Sequence, residues 1–371
     1  MFLTSTNLAH FLISRKLVTP STIVDGDFSV TELGRRNRNF CVKLDSNRAL
    51  FVKQTKASDP DSLANFKREM DYYTLAQVQS SWNQYLPRVL DIDRERHSIV
   101  LEFINHSESL TQYHWRIRRF STLIASMVGG ALADFHRSVT LANVPHELLQ
   151  SCQRNPVWIL NFDRVSDSAS DGVKQMLATM QQFGAIRDGM QALKRDWRFD
   201  CLMHGDMKWD NCLIYPDEKQ MAQLKLIDWE LIDIGDARWD VAGLMHSFLV
   251  FWIETDLREI GQAPARDIVE LIARENDLQA ALRQSLQTFW RSYQNGLGRT
   301  EYDLHELESV LRFVAARLIL TCYEGVFTAR DMSNSMSMVL QLAQLMFEDP
   351  LMLVKHWFAI ATESRVEELE A

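Results

Sequence analysis

His204-Gly205-Asp206-Met207-Lys208-Trp209-Asp210-Asn211, followed by Ile227-Asp228-Trp229-Glu230, is the stretch on which the reading of this chain turns. Between the two segments lie a short apolar run (Cys212 to Tyr215), a turn at Pro216-Asp217-Glu218-Lys219 and a second apolar run (Leu224 to Ile227), the pattern of a β-hairpin. In an antiparallel hairpin the start of the first strand lies beside the end of the second, about 5 Å away across the ladder. Asn211 and Asp228 therefore converge at the open end. Together they offer the oxygen ligands that magnesium takes from a protein while waters and phosphate oxygens complete its shell. Asp206, five positions before Asn211, falls on the loop that faces such a phosphate, and its carboxylate can accept the proton of an attacking hydroxyl.

Upstream, from about Asp25 to Phe103, the chain reads as strands and hairpins. Phe40, Val42 and Leu44 alternate with polar residues, Asp45-Ser46-Asn47-Arg48 makes a turn, and Ala49 to Lys53 returns. A helix over 62–79 precedes the strand pair Val89 to Ile92 and Ser98 to Phe103. Beyond Asn105 long amphipathic helices take over, such as the one carrying Ile124, Val128, Ala131 and Phe135 on one face. The expectation is an α+β chain of two lobes: residues 1–104, small and β-rich behind a leading helix, and residues 105–371, large and helical with the catalytic loop and the acceptor site.

Composition narrows the class. With 371 residues, 46% of them apolar, a sizeable core is expected, and a formal net charge of -9 argues against a general nucleic-acid binder. The five cysteines contain no CxxC pair, so neither a zinc site nor a disulfide framework is suggested. Residues 1–17 lack the basic start and unbroken apolar core of a signal peptide. The apolar stretch Leu244 to Ile253 is too short for a bilayer, and the stretch from Val310 to Phe327 is interrupted by Arg312, Arg317 and Glu324. No membrane partner and a cytoplasmic location are expected.

HGDMKWDN and LIDWE resemble the catalytic loop and metal strand of the aminoglycoside phosphotransferase and choline kinase group, distant relatives of the protein kinases. The resemblance implies a two-lobed protein-kinase-like fold and transfer of the γ-phosphoryl group of ATP, or another nucleoside triphosphate, to a hydroxyl of a small molecule. By it, Asp206 is the base, Asn211 and Asp228 hold magnesium, and His204 and Gly205 shape the loop. The segment from Gly130 to His136 is similar to the family's helix before the loop, and Gly235 to Asp240 to its GDxxxD segment, which makes Asp240 a brace. Lys53, which shares a strand face with Phe51 and Ala49, resembles the lysine that grips the α- and β-phosphates, and Glu69 its helical partner. Asn37, within Gly34-Arg35-Arg36-Asn37, is similar to the turn over the phosphates, and Leu101-Glu102-Phe103-Ile104 to the hinge, where Glu102 and Ile104 would bind adenine through their backbone. Lys208 stands where protein kinases carry a lysine on the γ-phosphate, so the resemblance also admits a peptide serine or threonine as acceptor, as in peptide natural-product biosynthesis. A nucleotide-binding pseudokinase is the remaining alternative, against which the complete residue set speaks.

Several conspicuous residues stay outside this site. His136 and His246 read as core or surface histidines. Glu254, Asp256 and Glu259 could meet a cationic acceptor but read first as a solvated helix end. Trp209 either walls an acceptor pocket or packs against the helices. Residues that choose the acceptor are expected in roughly 141–200 and 244–371.

Overall fold

The structure, a computed structural model, describes residues 2–33, 37–55, 59–78, 80–161, 170–260, 267–300, 303–327 and 332–358, apart from the side chains at 80, 81, 259 and 260. Gly34, Arg35, Arg36 and the Glu259 side chain lie outside the described residues. The chain forms two compact units.

The first unit comprises Met1–Tyr113, Ser138–Gln153 and Asp210–Asp233. Its main sheet is formed by β1 (Ser29–Glu32), β2 (Arg38–Lys43), β3 (Ala49–Gln54), β4 (Val89–Asp93) and β5 (Ser98–Glu102) in the order β1-β2-β3-β5-β4, every pair antiparallel. The β2–β3 turn is tightened by Asp45, whose Oδ1 accepts the N–H groups of Asn47 and Arg48. Alternation along β2 and β3 puts Phe40, Val42, Leu50 and Val52 on one face, where Leu8, Phe11 and Leu12 of the helix Leu8–Ser14 cover them. Lys53 follows Val52 in β3, so the same alternation turns it to the opposite face.

The helix Pro60–Val78 buries Phe66, Glu69, Met70 and Tyr73, a stripe spaced for one helical face. The predicted hairpin is present as Cys212–Pro216 paired with Ala222–Leu226, Cys212 opposite Leu226. Its chemistry ties it to this unit rather than to its neighbours in sequence. Leu226 N–H donates to Tyr85 O at 2.7 Å, and Lys225 Nζ reaches the carbonyls of Gln84 and Leu86. Glu108–Ser109 adds a third strand on the other edge of Cys212–Pro216. The unit thus runs past residue 104 and gathers two later segments, tied together through Arg68, which donates to Ser151 O in the first and Ile232 O in the second.

Directly after the hairpin, Trp229 is fully buried and stacks on Tyr72 at 4.4 Å, with Trp82 edge-on at 5.7 Å. Trp82 Nε1 donates to the Tyr72 hydroxyl, and Trp229 Nε1 to Leu226 O. This peg anchors the chain between Asp228 and Glu230, whose side chains lie on either side of it in sequence.

The second unit comprises His114–Arg137, Arg154–Trp209 and Ile234–Ala371, and its described residues are mainly helical. Leu304–Val326 packs against Ala237–Ile260 and Asn334–Glu348, and Asp277–Gly296 packs against Ala237–Ile260 and Pro350–Phe358. The helix Thr122–Ser138 buries Ile124, Val128, Ala131 and Phe135. At Gly243 a Cβ would lie 2.0 Å from Met207 O, so only glycine lets the helix Ala237–Ile260 pass this close to the loop that follows Met203. Among the described residues no helix is long and apolar enough to cross a membrane. All five cysteines are free, and burial pushes the Cys322 thiol up to about 12.

Trp229→Ala deletes a ring stacked among buried aromatics, a class of change that costs about 3–5 kcal/mol. Chemical denaturation should show a loss of that order; a midpoint equal to that of the parent protein would contradict the anchoring role.

Candidate active site

Lys53 is the centre of the first unit's charge cluster. Only 5% exposed, its ammonium lies 2.9 Å from Glu69 Oε2, 2.7 Å from Asp228 Oδ1 and 3.6 Å from Glu230 Oε2. Burial alone would lower the Lys53 pKa, but the three carboxylates reverse this and hold it well above its ordinary value. The same crowding acts oppositely on Glu69, where burial first, then Asp228 and Glu230, push the carboxyl up to about 7 against the pull of Lys53. Three acids share one base, so the most deeply buried acid holds its proton most readily.

This cluster opens on a cavity of about 340 Å³, lined among others by Phe51, Lys53, Tyr73, Leu101, Ile104 and Asp228. Its apolar end runs along Leu101-Glu102-Phe103-Ile104, and its charged end is the Lys53 cluster. The Glu102 side chain points its oxygens at Arg88, accepting from the Arg88 N–H at 2.8 Å. The Ile104 carbonyl is taken by the Ser107 hydroxyl at 2.7 Å, whereas among the described residues nothing accepts from the Ile104 N–H. Asn39 Oδ1 is also buried with no hydrogen-bond partner, on a residue that lines the cavity. A ligand with donors and acceptors is what these groups lack.

Asn211 and Asp228 come together as the hairpin geometry requires. Ile227 N–H donates to Asn211 O at 3.0 Å, extending the ladder one step beyond Cys212–Leu226, and both side chains line the cavity. Asp228 adopts a left-handed backbone (φ 65°, ψ 61°), a conformation that aspartate tolerates better than most residues. The pair supplies hard oxygen donors beside a polar cavity, a donor set that fits magnesium.

Asn37 does not reach the ligand cavity. Its Nδ2 donates to Glu230 Oε2 at 2.9 Å, so it braces the acid that faces Lys53. Glu230 was not singled out by the sequence, although it stands two residues after Asp228. A glutamate after a buried tryptophan reads as surface until the tryptophan is known to be a peg.

In the second unit, Asp206 sits between two cations. Lys208 Nζ lies 2.7 Å from Asp206 Oδ2 and Arg317 Nη2 3.5 Å from Oδ1. Burial works to raise the Asp206 pKa, but Arg317, Lys208 and His204 outweigh it and hold the carboxyl below its ordinary value. The loop is braced from beneath by Asp240, fully buried, which accepts the N–H groups of His204 at 2.7 Å and Gly205 at 3.0 Å. Gly205 has φ 82°, where a side chain would be strained. His136 extends the brace, with Nε2 3.4 Å from Asp240 Oδ2 and Nδ1 2.9 Å from the Tyr293 hydroxyl.

The residues kept outside the site take structural places. Trp209 is buried, stacks on His114 at 3.9 Å and packs edge-on to Phe248, so it joins the helical core. His246 bonds to the Thr321 hydroxyl, and burial pushes its pKa down to about 3. Asp256 does not lie on a solvated helix end: it is fully buried and paired with Arg274 at 2.8 Å.

A family profile described as the phosphotransferase enzyme family matches residues 27–292, more than half of the chain. No curated protein matches by sequence. Among solved structures, the chain is similar to a choline/ethanolamine kinase family protein from Mesorhizobium loti, with TM-score 0.51 and 15% identity over 96% of this chain and 98% of that one. It is likewise similar to an ethanolamine kinase of Plasmodium vivax, with TM-score 0.51 and 12% identity over 95% and 91%. A third likeness is to APH(2″)-IIa in a ternary complex with streptomycin and ATP, with TM-score 0.50 and 15% identity over 94% and 99%. At these identities the likeness establishes the fold, the α+β kinase-like fold expected from the sequence.

Glu69, with its pKa raised from the ordinary 4.5 to about 7, keeps its proton in the folded chain over a range where the unfolded chain has lost it. Its contribution to stability is therefore full below about pH 4.5 and is lost as pH rises to about 7. Urea midpoints from pH 4.5 to 7.5 should fall more steeply for the parent protein than for Glu69→Gln; parallel curves would contradict the raised pKa.

Proposed function

This chain belongs to the phosphotransferase enzyme family, and we propose that it transfers the γ-phosphoryl group of ATP, with magnesium, to a hydroxyl of a small molecule. The observation that carries the reading is the buried Lys53 ammonium, set among Glu69, Asp228 and Glu230 at the charged end of a cavity whose other end is apolar. That layout suits a nucleotide: a flat base against Leu101 to Ile104, hydrogen-bonded at the Ile104 N–H, and a triphosphate at Lys53. The presence of ATP in the APH(2″)-IIa complex supports the choice of an adenine nucleotide.

On this reading Asn211 and Asp228 would hold magnesium, which when bound would neutralise charge on the phosphate oxygens. Lys53 grips the α- and β-phosphates, and Glu69 holds Lys53 in place. The acceptor oxygen attacks the γ-phosphorus, the bond to the β,γ-bridging oxygen breaks, ADP leaves, and the acceptor proton passes to the Asp206 carboxylate. A base held ionised below the ordinary carboxylate range suits phosphoryl transfer, whose loose transition state asks for orientation of the nucleophile more than for strong basicity. Lys208, paired with Asp206 at 2.7 Å and partly exposed, would contact the transferred group. The ethanolamine kinase, the choline/ethanolamine kinase family protein and the streptomycin-bound APH(2″)-IIa among the similar structures favour a small hydroxyl-bearing acceptor. The Lys208–Asp206 pair favours a second reading, a peptide serine or threonine, since protein kinases carry a lysine at that spacing.

Three measurements test this. Asp206→Asn should lower kcat by about 10²- to 10⁴-fold, the usual worth of a positioned base, with nucleotide affinity little changed; near-parental turnover would remove the assignment. In calorimetry Asp228→Ala should weaken nucleotide binding only when magnesium is present, and Lys53→Ala with or without it; equal losses for Asp228→Ala in both conditions would exclude it as a metal ligand. Finally, aminoglycosides, amino alcohols and Ser/Thr peptides offered with ATP and magnesium should yield a small molecule heavier by one phosphoryl group. A peptide product alone would replace the leading acceptor class by the second.

A further inference from the structure

Arg317, in the helix Leu304–Val326, is separated from Asp206 by 111 residues in sequence yet closes on it from above the loop. Only 3% exposed, it is fixed on several sides. Its Nη2 donates to Met207 O at 3.0 Å and lies 3.5 Å from Asp206 Oδ1. Its guanidinium rests over the Trp239 ring at 4.8 Å, and Trp239 Nε1 in turn donates to Gly205 O at 2.8 Å. Gly243 completes the enclosure, since a Cβ there would come within 3.2 Å of Arg317 Nη2. Lys208 is the opposite case: its side chain is 30% exposed and its bond to Asp206 Oδ2 is the contact that holds it. The two cations on one carboxylate thus differ in freedom. A lysine on a four-carbon stem can turn away, whereas a stacked and doubly engaged guanidinium cannot without dismantling the loop.

We propose that Arg317 is a positioning residue for the phosphoryl transfer: the fixed cation that keeps the Asp206 carboxylate oriented and charged once Lys208 has turned to the transferred phosphoryl group. The inference rests on the reading of Asp206 as the base. Of the other groups facing Asp206, His204 lowers its pKa less than Arg317 and Lys208 do. His204 engages the Asp206 backbone, its Nδ1 accepting the Asp206 N–H at 3.2 Å. His246, on Ala237–Ile260, is kept neutral by burial, its pKa pushed down to about 3. Glu324 is an acid and faces Lys208. With Lys208 engaged elsewhere, Arg317 is the remaining cation of this set.

The test is the pH dependence of kcat, which reports groups in the enzyme–substrate complex. An opposite charge at this range lowers a carboxylate pKa by about 1–3 units, so Arg317→Gln should move the acid limb of kcat up by at least about one pH unit. Arg317→Lys should restore most of that shift, and Lys208→Met should lower kcat while leaving the limb in place. A limb unmoved in Arg317→Gln, or moved as far by Lys208→Met, would overturn the proposal. Should Arg317→Gln fail to fold, Lys208→Met decides alone: an unmoved limb supports Arg317 as the fixed cation, and an upward shift overturns it. Asp206→Asn separates the two levels of the argument. If it is inactive while Arg317→Gln leaves the limb unmoved, the role of Arg317 alone falls; if it is active, the base assignment falls and this inference with it.

Discussion

A lysine ammonium taken out of water needs anions around it, and in this protein that demand organises the first unit. Removing one partner of a buried ion pair is strongly destabilising because the other charge is then stranded, so every element that carries a partner of Lys53 is constrained. The sheet supplies Lys53 on the face opposite the core strip of Val52, the helix Pro60–Val78 supplies Glu69, and the end of the hairpin supplies Asp228 and Glu230. The Trp229 peg is the mechanical part of this arrangement, since two acids flanking a fully buried ring have little freedom in where they lie. Asn37 then secures Glu230 from the strand side. The cluster carries more negative than positive charge, a surplus that a divalent cation would balance.

The second unit solves a different problem, holding an acid ionised although it is largely enclosed. Asp206 is stabilised by cations rather than by water, while the loop around it hangs from Asp240 through two backbone N–H groups. Gly205 and Gly243 are the two places where the backbone itself sets the terms, one by its left-handed conformation and one by the closeness of helix and loop. Asp240 holds the loop through two of its backbone N–H groups, whereas Arg317 reaches both the Asp206 carboxylate and the Met207 carbonyl.

Much of this was legible in the sequence, and the reason is local geometry. Strand alternation set Lys53 apart from Val52, hairpin pairing brought Asn211 to Asp228, and the spacing of Phe66, Met70 and Tyr73 marked a helix that also carries Glu69. What the sequence concealed depends on long-range packing. Glu230 and Asn37 meet across 193 positions, and Arg317 read only as a charge interrupting an apolar stretch, because nothing nearby in sequence announces a partner 111 residues away. Asp256 was hidden for the same reason, since its partner Arg274 lies on the far side of residues 261–266. The acceptor is a harder case still: it is chosen by side chains on several helices, and no short motif encodes their juxtaposition.

The central claim is that the Lys53 cavity holds the nucleotide and its metal, and the most direct measurement is a crystal structure with a non-hydrolysable ATP analogue and magnesium. The account predicts the triphosphate against Lys53, an adenine nitrogen accepting from the Ile104 N–H, and oxygens of Asn211 and Asp228 at the ~2.0–2.1 Å typical of magnesium. An analogue bound elsewhere, with Lys53 still paired to Asp228, or a magnesium ion held by neither residue, would contradict it.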